Sequence, residues 1–268
     1  MNSSTKQLQN KRAIIFGAGG SIGSMAAKAF AAEGAEVFLA GRTLKSLEKI
    51  AADIQSVGGT AHIAAVDALD QSAVDSFIAA ITERQGIDIV FNATGPRPHE
   101  YDNGKLAVDL AVEKFIVPLS TMLKSQFITA QAAARRMVHQ KAGVIIFLTG
   151  SPARGHVEGA TAIGTAFGAI ETFMENLAFE LGPSGVRSVC LRTTANVDSN
   201  VIQETMGLIA SRANISSREV LAKIAGYNFL KVPATVADTV NALVFLASDK
   251  ARMVTATVFN VSAGAAMD

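Results

Sequence analysis

Short apolar runs alternate along this chain with longer stretches in which apolar residues recur every three or four positions. The runs fall at 12–16, 36–41, 60–66, 87–92, 143–149, 185–191 and 256–261 and read as strands. Most are near-continuous in Val, Ile, Phe and Ala, as in Ala13-Ile14-Ile15-Phe16, the composition of strands covered on both faces. Between them the spacing predicts helices at 21–33, 43–57, 70–84 and 160–181, with further helix within 105–140 and at 235–248. Ser21 and Thr43 are candidate caps, and Gly34 and Gly182-Pro183 candidate stops. This alternation predicts an α/β fold, a doubly wound parallel sheet of about seven strands.

The stretch 196–230 breaks the rhythm and reads as two short helices inserted after the sixth strand. Ligands of doubly wound sheets bind at the carboxyl ends of the strands. The insertion is therefore either a lid over that edge or an ordinary helical excursion. No Pro/Ser-rich linker or long charge run divides the 268 residues, so a single domain, 1–268, is expected.

Composition narrows the partners. Lys and Arg number 24 against 23 Asp and Glu, net +1, which leaves no electrostatic footprint for nucleic acid or anionic lipid. The opening stretch Met1–Asn10 is polar and has no apolar leader core, and no apolar run approaches membrane-spanning length. A cytoplasmic protein without membrane contact is expected. The single cysteine, Cys190, lies in the apolar run Val186–Leu191 and reads as a buried structural thiol. His62 and His139 belong to no constellation, and no cluster has metal-ligand spacing, so no metal is expected.

The chemistry begins at Gly17-Ala18-Gly19-Gly20-Ser21-Ile22-Gly23, between the first strand and the first helix. Glycines at 17, 20 and 23 let the backbone turn sharply and approach a pyrophosphate, which then faces the positive end of the helix. The second strand ends Ala40-Gly41-Arg42-Thr43. Gly41 stands where an NAD site places a carboxylate for the ribose, and Arg42 follows where an NADP site wants a cation. NADP(H) is the expected cofactor.

Together with Val66-Asp67, Asn92-Ala93-Thr94-Gly95 and Val258-Phe259-Asn260-Val261, these residues resemble the short-chain dehydrogenase/reductase family over essentially the whole chain. The resemblance implies a Rossmann fold. It implies that Asp67, with Ala68 beside it, meets the adenine, and that Asn92, Ala93, Thr94 and Gly95 flank the cofactor. It also implies a homo-oligomer, dimer or tetramer, built on the helices within 105–140 and at 160–181.

The departures from the family are concentrated where it performs chemistry. Its active site uses an Asn, a Ser, a Tyr and a Lys, the last two spaced as Tyr-x-x-x-Lys. Here Ile163 falls on the Tyr and Phe167 on the Lys, Gly150 on the Ser and Met122 near the Asn, while Thr193-Thr194 replaces the usual Pro-Gly. The two tyrosines, Tyr101 and Tyr227, lie far from the window. A Tyr phenol beside a Lys ammonium is a general acid, a device that contributes about 10²–10⁴-fold. A replacement would come from nearby loops. Ser151 and His156, after the fifth strand, are the candidate catalytic residues, each with a plain alternative as a turn or surface residue. Arg97, His99 and Tyr101 follow the fourth strand and could meet a substrate or simply decorate the surface.

Two functions remain open on the sequence. One is an NADP(H)-dependent oxidoreductase acting on an apolar small molecule, through a non-standard proton donor or on an acceptor, such as an iminium, that needs none. The other is a catalytically silent NADP-binding sensor or scaffold of the same fold.

Overall fold

In the computed structural model, which describes residues 6–268, the apolar runs lie side by side, the central ones burying both faces. The strands are β1 (Arg12–Phe16), β2 (Glu36–Gly41), β3 (Thr60–Ala65), β4 (Ile89–Asn92), β5 (Gly143–Gly150), β6 (Val186–Thr193) and β7 (Thr257–Val261). They form one parallel sheet in the order β3-β2-β1-β4-β5-β6-β7. The order reverses between β1 and β4, which opens a crevice at the carboxyl ends of those two strands. Phe16 lies opposite Ala40 on one side and Asn92 on the other, and Gly150 lies opposite Thr193.

The helices are α1 (Ser21–Ala32), α2 (Leu44–Ser56), α3 (Gln71–Thr82), α4 (Val112–Pro118), α5 (Lys124–Gln140), α6 (Thr161–Leu181), α7 (Asn200–Ala213), α8 (Ser217–Tyr227) and α9 (Val236–Ala247). Alternation along β1 assigns its side chains to two cores. Ala13 and Ile15 join Phe30, Leu47 and Val240 under α1, α2 and α9. Ile14 and Phe16 join Ile78, Met137 and Ile170 under α3, α5 and α6. Each fully buried Leu, Ile or Phe contributes roughly 1.5–3 kcal/mol against the entropy of ordering the chain.

Several expectations change at the element ends. Ser21 does not cap α1. Gly20 holds that position in extended conformation, and the Ser21 hydroxyl instead accepts the Asn200 N–H at 3.0 Å. Thr43 does sit at the N-cap of α2, although its side chain makes no capping hydrogen bond. The fourth strand begins at Ile89 rather than 87, because the Gln140 side chain takes both the N–H and the carbonyl of Ile87. The sixth runs on to Thr193, paired with Gly150 and Val261. Within 105–140 the helix starts at Val112. Leu119–Leu123 wind as a π-turn just after Pro118, which has no N–H to continue the usual ladder. Gly34 follows the end of α1 with φ +94°, as a stop should, and Gly182 follows α6.

The stretch 196–230 holds α7 and α8 between β6 and α9. Of the polar opening Met1–Asn10, residues 1–5 lie outside the described residues, and Leu8 is buried. Among the described residues no helix is long and apolar enough to cross a membrane.

Candidate functional site

β1 delivers the chain into a turn that only glycine can make. Gly17 has φ +70°, and a Cβ there would come within 2.9 Å of the Ala93 carbonyl carbon and the Thr94 nitrogen. Gly23, one turn into α1, lies against the Gly17-Ala18 backbone with no space for a methyl group. The turn holding Gly20, Ser21 and Ile22 thus presses against the loop after β4, and the N-terminus of α1 opens into the crevice. At the end of β2, Gly41 presents no side chain and Arg42 is exposed, beside Thr43. Arg42 enters none of the ion pairs among the described residues. Asp67 is exposed after β3, its carboxylate accepting the Leu69 N–H at 3.0 Å, and Ala68 is buried.

Asn92 braces the other bank. Its amide donates to Thr129 Oγ1 at 2.9 Å and accepts the Thr94 N–H at 2.8 Å, while its carbonyl accepts from Gln126 Nε2 at 3.0 Å. The Thr94 hydroxyl, beside the Gly17 turn, is buried without a hydrogen-bond partner among the described residues. Such a group is costly unless something pairs with it. A backbone cradle free of side chains, an orphan hydroxyl at its wall and a free cation at the end of β2 fit a dinucleotide phosphate. Ala93 and Gly95 complete that wall, and a Cβ on Gly95 would lie 3.8 Å from the Met122 thioether.

The carboxyl end of β5 is closed by an aromatic ring. Ile163 and Phe167 occupy the first two turns of α6. A Cβ on Gly150 would meet Phe167 Cε2 at 2.8 Å and Pro152 Cδ at 3.4 Å. The missing side chain at 150 and the phenyl at 167 are therefore two halves of one packing arrangement. Met122, buried in the π-turn, completes an apolar surround. Thr193 is not free either, since its hydroxyl is bonded to Thr239 at 2.7 Å and to Asn196. The two candidate donors differ in setting: Ser151 is buried at the head of a tight turn, and His156 is exposed.

Below Phe167 lies an ion cluster that the sequence did not single out. Arg192 and Glu171 are each 1% exposed and pair in bidentate fashion at 2.8 and 2.9 Å. Thr149 donates to the same carboxylate at 2.9 Å, Arg154 approaches it at 3.6 Å, and Asp268 also pairs with Arg192. Burial works to lower the Arg192 pKa, but the hydrogen bonds it donates to Glu171 and Asp268 outweigh it and raise it. The cluster ties α6, β5, β6 and the tail after β7 together beneath the site. An Arg late in the sixth strand and a Glu on the apolar face of α6 were the available signals.

Arg97 and His99 both reach α7. They hold Glu204 of α7: Arg97 Nε donates at 2.8 Å, and the His99 N–H and Nδ1 lie at 3.1 and 2.6 Å. Burial works to raise the Glu204 pKa, and these donors more than reverse it, holding the carboxyl below the usual range. Tyr101 is buried in the core beside α4, and desolvation, with the Glu204 charge adding to it, raises its phenol. The same loop touches the one after β5, where the Gly104 N–H donates to the Gly159 carbonyl at 2.9 Å.

Comparison with known proteins agrees with this geometry. A family model described as Enoyl-(Acyl carrier protein) reductase matches residues 17–266. An L-rhamnose 1-dehydrogenase (NAD(P)(+)) of Azotobacter vinelandii is 30% identical, the match covering 96% of this chain and 97% of that protein. The short-chain reductase protein NovJ of Streptomyces niveus is 29% identical over 96% and 94%. A solved actinorhodin polyketide ketoreductase with NADPH superposes with a TM-score of 0.87 at 20% identity, over 96% of this chain and 97% of that one, a likeness of fold alone. The glycine turn at the switch point, the sheet order and these matches lead to one conclusion: the chain belongs to the short-chain dehydrogenase/reductase family.

Proposed function

We propose that this protein is an NADP(H)-dependent oxidoreductase acting on an apolar small molecule without the phenol–ammonium pair usual in its family. The observation that carries the reading is Arg42, exposed and unpaired among the described residues, behind a Gly41 that offers no carboxylate. A guanidinium suits a ribose 2′-phosphate, and nothing at the end of β2 suits the free 2′-hydroxyl. Gly17, Gly20, Ser21, Ile22 and Gly23 would hold the pyrophosphate, Arg42 and Thr43 the 2′-phosphate, Asp67 and Ala68 the adenine. Asn92, Ala93, Thr94 and Gly95 would line the far wall, with the Thr94 hydroxyl finding its missing partner there. A bound nicotinamide supplies hydride.

The chain's own residues then orient the acceptor and keep water out. Ile163, Phe167 and Met122 favour an apolar substrate. Ser151, buried, and His156, on the rim, are the proposed proton donors. An acceptor that is already cationic, such as an iminium, would need neither at the hydride step. Assembly as a homodimer or homotetramer in the cytoplasm completes the proposal.

A second reading, a silent NADP-binding sensor or scaffold, draws on the phenyl that fills the place of the missing serine side chain. Turnover with NADPH across a carbonyl, enone and imine panel separates the two. Product from any class supports the oxidoreductase. Tight NADPH binding with no turnover on any class supports the silent protein. Absence of binding refutes both.

A further inference from the structure

The flap 197–233 is pinned at its base and lightly packed above it. Asn196 bridges to Ala234, with the Val197 N–H donating to the Ala234 carbonyl at 3.0 Å. Beyond that base, Met206 is the buried residue of α7 and Val220 that of α8. Segments with so little buried apolar surface open locally at small free-energy cost. Polar contacts must therefore decide where α7 rests.

Those contacts straddle the crevice. On the β1 bank, the Asn200 N–H meets the Ser21 hydroxyl at the start of α1. One helical turn later, Glu204 receives Arg97 and His99 from the loop after β4. Asn103 of that loop donates to Thr205 at 3.2 Å and accepts from Arg212 through its carbonyl. The first two turns of α7 thus bridge the two banks of the sheet's switch point, and a molecule entering between them must pass beneath this helix. The Glu204 carboxylate is mostly shielded, at 19% exposed, and it gathers a guanidinium, an imidazole and a backbone amide. Charge-assisted contacts of this kind are the stronger class of hydrogen bond.

We infer that Glu204 is the latch of a gate: its seat on Arg97 and His99 holds α7 closed over the crevice, and releasing it admits and discharges ligand. The inference builds on the cofactor reading only in naming what passes through, and the latch itself is testable without any ligand.

Amide hydrogen exchange on the ligand-free protein is the test, with α7 as the reporter and the amides of β1, β4 and β5 as the fold control. Glu204→Gln should speed exchange across 200–213 about ten-fold, the factor that corresponds to losing one well-formed charged contact. Arg97→Ala should act in the same direction. The double variant should be no faster than the faster single one, because both remove the same latch. Additive effects, or α7 exchange within two-fold of wild type with the strand amides unchanged, would overturn the latch. In stopped-flow mixing, NADPH should associate faster with Glu204→Gln than with wild type. Equal rates for a bound NADPH would overturn the gating role, whereas absence of binding would count against the cofactor reading and leave the exchange result standing.

Discussion

Installing the family's Ser, Tyr and Lys takes three coordinated changes, and the structure sets their order. Gly150→Ser alone places a Cβ 2.8 Å from Phe167 Cε2, several tenths of an ångström inside ordinary contact, with Pro152 preventing retreat on the other side. Overpacking of this kind costs about 1–3 kcal/mol. For a chain of this size that lowers the melting temperature by about 2–12 °C. Phe167→Lys removes the ring, so the Gly150→Ser/Phe167→Lys pair should melt above Gly150→Ser alone. Adding Ile163→Tyr then supplies a phenol one helical turn from an ammonium, worth about 10²–10⁴-fold in carbonyl reduction. Thermal melts of the three variants and wild type, and NADPH consumption with a ketone panel, are the assays. A Gly150→Ser protein that melts with wild type would show that Phe167 does not occupy the space ascribed to it. A triple variant that binds NADPH and yet gains nothing would refute the view that Ile163 and Phe167 stand in for the acid and its cation.

Other outcomes follow from individual contacts. Arg42→Ala should weaken NADP(H) binding by about 10–100-fold, the loss of a charge-assisted contact, and leave NAD(H) nearly unchanged in titration calorimetry. Arg192→Met should cost about 3–5 kcal/mol by stranding Glu171, whereas Arg192→Met/Glu171→Leu should recover much of it in denaturant titrations. Burial raises the Cys190 thiol from an ordinary 9.0 to about 12, despite a hydrogen bond with Thr149 that works to lower it. The native thiol should therefore resist alkylating reagents that label it at once in denaturant. Because the unfolded thiol ionises first, this group's contribution to stability is complete below pH 9 and declines as pH climbs from there towards 12.

The sheet was legible because β1, β4 and β5 bury both faces and so read as nearly continuous apolar runs. Their ends were not, because distant side chains compete for the backbone: Gln140 claims Ile87 across 53 residues of sequence. The glycine turn declared itself, since few other functions demand that spacing. Ser21 was misjudged for a related reason. A hydroxyl at a helix start looks like a cap until the fold brings Asn200 to it from 179 residues away. That Ile163 and Phe167 stand where the resemblance expects Tyr and Lys could be read residue by residue, but the packing of Phe167 against Gly150 could not, because it rests on a ring set against a strand end. Likewise Arg97 and His99 drew notice through their place after the fourth strand, and Glu204, the carboxylate they hold, has no local signature. Periodicity records what each element buries, whereas pairings between elements depend on topology.

The backbone contact between Gly104 and Gly159 bears on attempts to redesign substrate range. A Cβ at 159, where φ is +73°, would collide with the main chain at 104, so these two rims have no spacer to adjust. Enlarging either by insertion or grafting would pry its counterpart loose. Libraries that exchange the two segments as a matched cassette should retain folded members, and libraries that vary one alone should be depleted of them.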